Sequence, residues 1–166
     1  MMDIVVRRYR TADGAEPFTE WLRQLHDRKA RACILVRIER VTLGNLGDAK
    51  LLEGHRAMAR VQRSKAKTRR KALTVSHRTR LLQELRGDPE LAVEYLNAAA
   101  EEDDPRVYLE ALRAVAEAQG MAHVASAAGV PRESLYRALS AGGNPRFDTL
   151  HAILRAAGFK LAVRRA

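Results

Sequence analysis

Residues 121–140, MAHVASAAGVPRESLYRALS, hold two short apolar repeats at helical spacing that meet at a single glycine. Val124, Ala125 and Ala128 fall on one helical face, and Leu135, Ala138 and Leu139 fall on the next. Gly129 lies between them, where a tight turn calls for a positive φ. Ala125 is small enough for a second helix to cross close above it, and Val130 pins the two helices together. Pro131 suits the start of the second helix, because its missing N–H would be unpaired there anyway. These constraints predict a helix-turn-helix. With Leu135, Ala138 and Leu139 inward, Arg132, Glu133, Tyr136 and Arg137 lie on the opposite face. That face is the one such a motif presents to the major groove of DNA. Arg132 and Arg137 can read guanine O6 and N7, Glu133 can accept from cytosine N4, and Tyr136 completes the base-facing set. Ser134 and His123 are placed to reach phosphates. The alternative is a helical hairpin that only packs a core, with an arginine-rich solvated side.

The sequence continues directly into Gly142, Gly143 and Asn144, a loop, and then into an amphipathic helix from Phe147 with Leu150, Ile153 and Leu154 inward. Asn144 and Arg146, beside that helix N-terminus, are candidates for one backbone phosphate; an ordinary inter-helix loop is the alternative. Gly158 stops the helix. Phe159 to Arg164 alternates apolar and polar residues, which predicts a short terminal strand paired with a neighbouring subunit.

Upstream, charge divides the chain. The whole of its 166 residues carries a net +10, and residues 1–72 already account for +10. Residues 73–120 are net −5 and residues 121–166 net +5. This block pattern suggests two units with cationic stretches open to a polyanion. Arg60 to Lys71 holds seven basic residues and no acidic one, reading as a solvated linker or a nucleic-acid-binding arm.

Before that linker, Asp3 to Arg10 is β-branched and predicts a strand, and Asp13-Gly14 a turn. Pro17 opens a helix with Phe18, Trp21, Leu22 and Leu25 on one face. A second helix is predicted from about Arg28 to Leu43, with Ile34, Ile38 and Val41 as its stripe. Residues 50–62 have a weak pattern for one or two strands. After the linker the chain reads as helical. Ser76 caps a helix through Leu81, Leu82 and Leu85, ended by Gly87. Asp88-Pro89 opens the next, through Leu91, Tyr95 and Ala99. Asp104-Pro105 opens another, with Leu109, Leu112, Val115 and Ala116 on one side.

Enzyme and metal signals are poor. The acidic run Glu101 to Asp104 is consecutive, so its carboxylates diverge around a helix end instead of converging on a metal. His26, His55, His77, His123 and His151 have no ligand spacing, and no Gly-rich phosphate loop or nucleophile elbow is present. Cys33, the one cysteine, excludes an internal disulfide and lies in an apolar helix as a core residue. Metal-free RNA cleavage would have to use His55, Arg56 and Arg60. No catalytic residue, metal or cofactor is assigned. No apolar run is long enough for a membrane span, and the first twenty residues lack a secretory h-region, so a cytoplasmic protein is expected.

Residues 120–163, GMAHVASAAGVPRESLYRALSAGGNPRFDTLHAILRAAGFKLAV, closely resemble the HigA-like antidote proteins of bacterial addiction modules, which contain a Cro/phage-repressor type helix-turn-helix. Residues 88–119, DPELAVEYLNAAAEEDDPRVYLEALRAVAEAQ, look like the same family. The resemblance implies operator binding, autorepression and neutralisation of a partner toxin. Residues 9–54, YRTADGAEPFTEWLRQLHDRKARACILVRIERVTLGNLGDAKLLEG, resemble the start of HigB/RelE-type toxins, small α+β ribonucleases that inhibit translation. The toxin family continues into a GxGYRVYF-like stretch and further strands; here Gly54 is followed by HRAMARVQRSKAKTRRKAL. About half a toxin is missing, with most of its catalytic groups.

The expectation is therefore an α+β chain. A truncated RelE-like α/β part spans residues 1–59, a basic linker 60–72, and a HigA-like all-α helix-turn-helix domain, ending in a short β-strand, 73–166. Its expected partners are double-stranded operator DNA and a second copy of itself. The alternatives are an interaction protein, whose toxin-like part and acidic helices 73–120 bind a separate toxin or the ribosome, and an RNase toxin held inactive by its fused antidote.

Overall fold

The structure, a computed structural model, describes residues 4–45 and 74–163. The basic linker 60–72 and the weak strands of 50–62 lie outside these residues, as do His55, Arg56 and Arg60. Among the described residues the chain is mostly helical, with one two-stranded sheet.

Strand β1 (Arg7–Tyr9) is shorter than the predicted Asp3 to Arg10. It pairs antiparallel with β2 (Thr74–Ser76), Arg8 opposite Val75. No periodic signal marks this partner, because three residues just ahead of the Ser76 cap are too few to alternate. A two-stranded ribbon is marginal alone, and this one is held by a buried side chain. Arg8 points inward. It pairs with Glu84 at 2.6 Å, donates to His77 Nδ1 at 3.1 Å and to Thr19 Oγ1 at 3.2 Å. Burial and the Arg8 charge hold the His77 imidazole neutral, with its pKa pushed down to about 3.

Helix α1 (Pro17–Gln24) begins at Pro17 as expected, but its inward face is rotated. Leu22 is fully buried, whereas Trp21 is 48% exposed, its ring resting near Phe18. Thr19 turns inward instead, because its hydroxyl donates to Glu16 while accepting from Arg8. Helix α2 (Arg28–Thr42) is capped by Asp27, which accepts from the Ala30 N–H at 3.1 Å. Its buried face is Ala32, Leu35, Val36 and Glu39, at i, i+3, i+4 and i+7, not the expected Ile34, Ile38 and Val41, which are only half-buried. Hydrophobicity alone could not place that face, because one of its four members is a carboxylate.

The remaining helices follow their caps. Ser76 caps α3 (His77–Gly87), Asp88 caps α4 (Pro89–Ala100) and Asp104 caps α5 (Pro105–Gln119). Two acid–proline pairs thus start α4 and α5, with proline at a position whose N–H has no helical partner. Gly120, at φ 101°, turns the chain into α6 (Met121–Ala128). Helices α7 (Arg132–Ala138) and α8 (Phe147–Ala156) complete the fold.

Helix α2 packs on α4 and α5, α3 packs on α5, and α6 packs on α5, α7 and α8. One hydrophobic cluster runs from Leu22, Leu35 and Val36 through Tyr95 and Leu112 to Leu135 and Leu154. The N-terminal segment and the helices after residue 74 thus share a core. Residues 159–163 pair with no strand among the described residues, and Leu161 and Val163 are exposed, the latter at 96%. The strand expected there has no partner among the described residues, and a strand without a partner has no ladder to define it.

Candidate nucleic-acid interface

The turn between α6 and α7 is built by Gly129, at φ 68° in the left-handed region. Its N–H bonds to the Ser126 carbonyl at 3.2 Å, and the Val130 N–H bonds to the Ala125 carbonyl at 3.0 Å. Together they satisfy the last carbonyls of α6. Any residue with a Cβ is strained at this φ. Leu135 and Leu139 are fully buried, Ala125 nearly so, and Val130 and Ala138 half-buried. The second helix is therefore fixed by its inner face, and its outer face is free for other work.

On that outer face Arg132, Glu133 and Arg137 are exposed and Ser134 is half-buried. Tyr136 stands apart from them. It packs against the core, with the guanidinium of Arg113, on α5, 5.7 Å from its ring centroid and that of Arg132 at 5.5 Å. Arg132 also donates to its hydroxyl at 3.3 Å. Tyr136 is thus a platform that holds Arg132, and is less available to a base edge than its three neighbours. Arg113 is itself tied to Glu117 on its own helix at 3.0 Å. Cation–π stacking of this kind steadies a guanidinium without neutralising it. The periodicity of α7 gave no sign of Arg113, which lies in another helix.

His123, near the start of α6, is exposed, as are Asn144 and Arg146 before α8. Gly143 is fixed by space: a Cβ there would lie 2.1 Å from the Ala138 carbonyl oxygen and 3.0 Å from that of Arg137. The loop bearing Asn144 is thereby seated on the C-terminal end of α7. Next to Arg146, Phe147 is 67% exposed and its ring stacks with His151, centroids 6.1 Å apart. The helix starts at Phe147 as expected, and Phe147 itself points outward.

The ion pairs sort the molecule. Arg28 pairs with Asp88 and Glu90, Arg31 with Asp88, Arg40 with Glu102, and Arg80 with Glu16. Arg78 faces three carboxylates, Glu39 at 2.9 Å, Glu110 at 3.2 Å and Glu117 at 3.0 Å. Glu39 is buried among them and its pKa is pushed up to about 7; burial is the largest cause, opposed by Arg78 and reinforced by the other two carboxylates. Among the described residues no ion pair engages Arg132, Arg137 or Arg146. The acidic middle of the sequence is therefore largely answered by arginines within the fold, and the cations of the α7 side are left to solvent.

No group of histidine, cysteine and acidic side chains able to hold a metal occurs among the described residues, and no described helix is long and apolar enough to cross a membrane. No solved structure matches the chain. An uncharacterized protein of Haemophilus influenzae is 39% identical over 72 residues, covering 43% of this chain and 74% of that relative. The family model described as "Probable addiction module antidote protein" matches residues 78–165, from the second residue of α3 to past α8. The matched region contains α7, its outward arginines and the Gly129 turn, and the chain belongs to this probable addiction module antidote family.

Proposed function

We propose that the protein is an antidote of the HigA type that represses transcription by binding operator DNA through α6 and α7. The observation that carries this reading is the outer face of α7. Its inner side is buried, the turn before it is set by Gly129, and Arg132, Glu133 and Arg137 project outward, the arginines without an ion pair among the described residues. In this reading those three side chains face base edges in the major groove, with Arg132 braced by Tyr136. His123, Ser134, Asn144 and Arg146 contact phosphates and set the register. The protein acts as a homodimer, with the exposed Leu161 and Val163 available to a second copy, and two α7 helices about 34 Å apart read a palindromic site.

As an antidote it also has a toxin partner. Residues 1–59 are proposed to be a truncated HigB/RelE-type toxin fragment without activity. Two features support this: the residue resemblance, and a sheet in which β1, among the described residues, pairs with β2, beyond the linker.

Selection of random duplex DNA on the purified protein, at about 50 and 200 mM salt, tests the repressor reading. A palindromic consensus that persists at the higher salt is expected. Binding without a consensus, lost steeply with salt, would reduce the interface to phosphate contacts and remove the repressor role.

A further inference from the structure

The acidic helices that follow the linker are covered by the segment that precedes it. Helix α2 lays Ala32, Leu35 and Val36, all essentially inaccessible, onto α4 and α5. Around that stripe its cations meet both ends of α4: Arg28 and Arg31 reach Asp88, Arg28 also reaches Glu90, and Arg40 reaches Glu102. β1 adds beside β2, and Arg8 enters a buried pocket to pair with Glu84 of α3. An amphipathic helix in a groove and a strand added beside another strand are two recurring ways in which a folded surface takes a separate peptide. Here both are used at once, by a segment outside the antidote match, on a surface mostly inside it.

We infer that residues 4–45 are a built-in ligand of the antidote part: α2 occupies, in cis, a face made for a basic amphipathic helix, so a partner carrying such a helix binds only after displacing it. This rests on the antidote reading, in which a toxin is bound. The match of net charge supports the assignment, since residues 73–120 are net −5 and residues 4–45, with nine basic and five acidic side chains, are net +4. Joined in cis, the segment enjoys a high effective concentration, which sets how strongly it excludes a competitor.

The test uses the full chain with a protease site inserted between residues 46 and 73, and a labelled synthetic peptide of residues 27–43. Intact chain is expected to leave the peptide free. After cleavage and dilution the peptide should bind, with an apparent affinity about 10²–10⁴-fold higher than for the intact chain. A peptide carrying Leu35→Asp should not bind. If cleavage lowers the helical circular dichroism, the peptide should restore it; a loss that it does not restore overturns the inference. So does equal binding to cut and uncut chain, or binding to neither. DNA selection on the same samples reports separately on the repressor reading, because α7 is not part of this interface.

Discussion

Helices α2 and α7 both carry arginines and both bury one face in the same core, yet their cations meet different fates. Most of those of α2 find carboxylates: Arg28, Arg31 and Arg40 are paired, while Arg37 is exposed with no ion pair among the described residues. Arg132 and Arg137 of α7 find none among the described residues. The same side chain serves as an internal fastener in one place and remains an open charge in the other. What separates them is the side chain each meets: α2 lies over a stretch with twice as many acidic as basic residues, while α7 meets an arginine of that stretch, Arg113, through Tyr136. A hydrated, unpaired guanidinium keeps its long-range field and its donors for a polyanion, whereas a paired one has already used them.

The sharpest way to break this contrast is at the fastener. Arg8 and Glu84 are both almost wholly buried. Glu84→Ala leaves a guanidinium in the core with no carboxylate, its remaining described partners being His77, Thr19 and the Phe18 ring, and a loss of about 3–5 kcal/mol in urea denaturation is expected. The double variant Arg8→Met/Glu84→Leu should recover most of it, because no charge is then stranded. A single variant as stable as the wild type would show that water reaches the pair. On the open side the effect should move from stability to binding. Arg137→Ala should leave the denaturation midpoint in place, yet cost about 1–3 kcal/mol in DNA affinity and relax the preference at one base position. Equal weakening on every sequence would make Arg137 a phosphate contact.

The two regions were also unequally legible in the sequence. Caps and turns were read from local chemistry: Ser76, Asp88-Pro89, Asp104-Pro105 and Gly129 act where their types demand. The spacing of Leu135 and Leu139 put Arg132, Glu133 and Arg137 on the outer face of α7, where they are exposed, but also Tyr136, which packs against the core. The inner face of α2 did not follow from spacing, because Glu39 is buried only by virtue of Arg78, some forty residues away. Thr19 displaced Trp21 for a similar reason, through Arg8. The β1–β2 pairing spans the linker and leaves no periodic trace in three-residue strands. Likewise Arg113 under Tyr136 is a contact between helices, which no single-helix pattern carries.

Glu39 offers a smaller test with a defined sign. Its folded pKa is about 7 against an ordinary value near 4.5, so the folded state holds a proton that the unfolded chain has released between those limits. Its contribution to stability is present in full below about pH 4.5 and is lost as pH rises toward 7. Glu39→Gln imitates the protonated form and does not titrate, while Arg78 keeps Glu110 and Glu117. The variant should match the wild type near the lower pH limit and melt about 2–4 °C higher at pH 8, the size of a ~1 kcal/mol change in a chain of this length. A variant less stable at both pH values would mean that the Arg78–Glu39 pair outweighs the cost of burying the charge.

The least effect is expected where a pair exists but solvent surrounds it. Arg28 and Glu90 approach to 3.0 Å, with both side chains about half exposed or more. In water, ordering two long side chains offsets most of their attraction, and salt screens what is left. Glu90→Ala should therefore change stability by no more than about 0.5 kcal/mol, and by still less as salt is raised. Arg28 retains Asp88 in that variant, so α2 stays fastened at this end. A loss approaching that of Glu84→Ala would mean that the α2 interface is held by its rim as much as by its buried pair, and the division between fastening and open arginines would have to be redrawn around the whole acidic face.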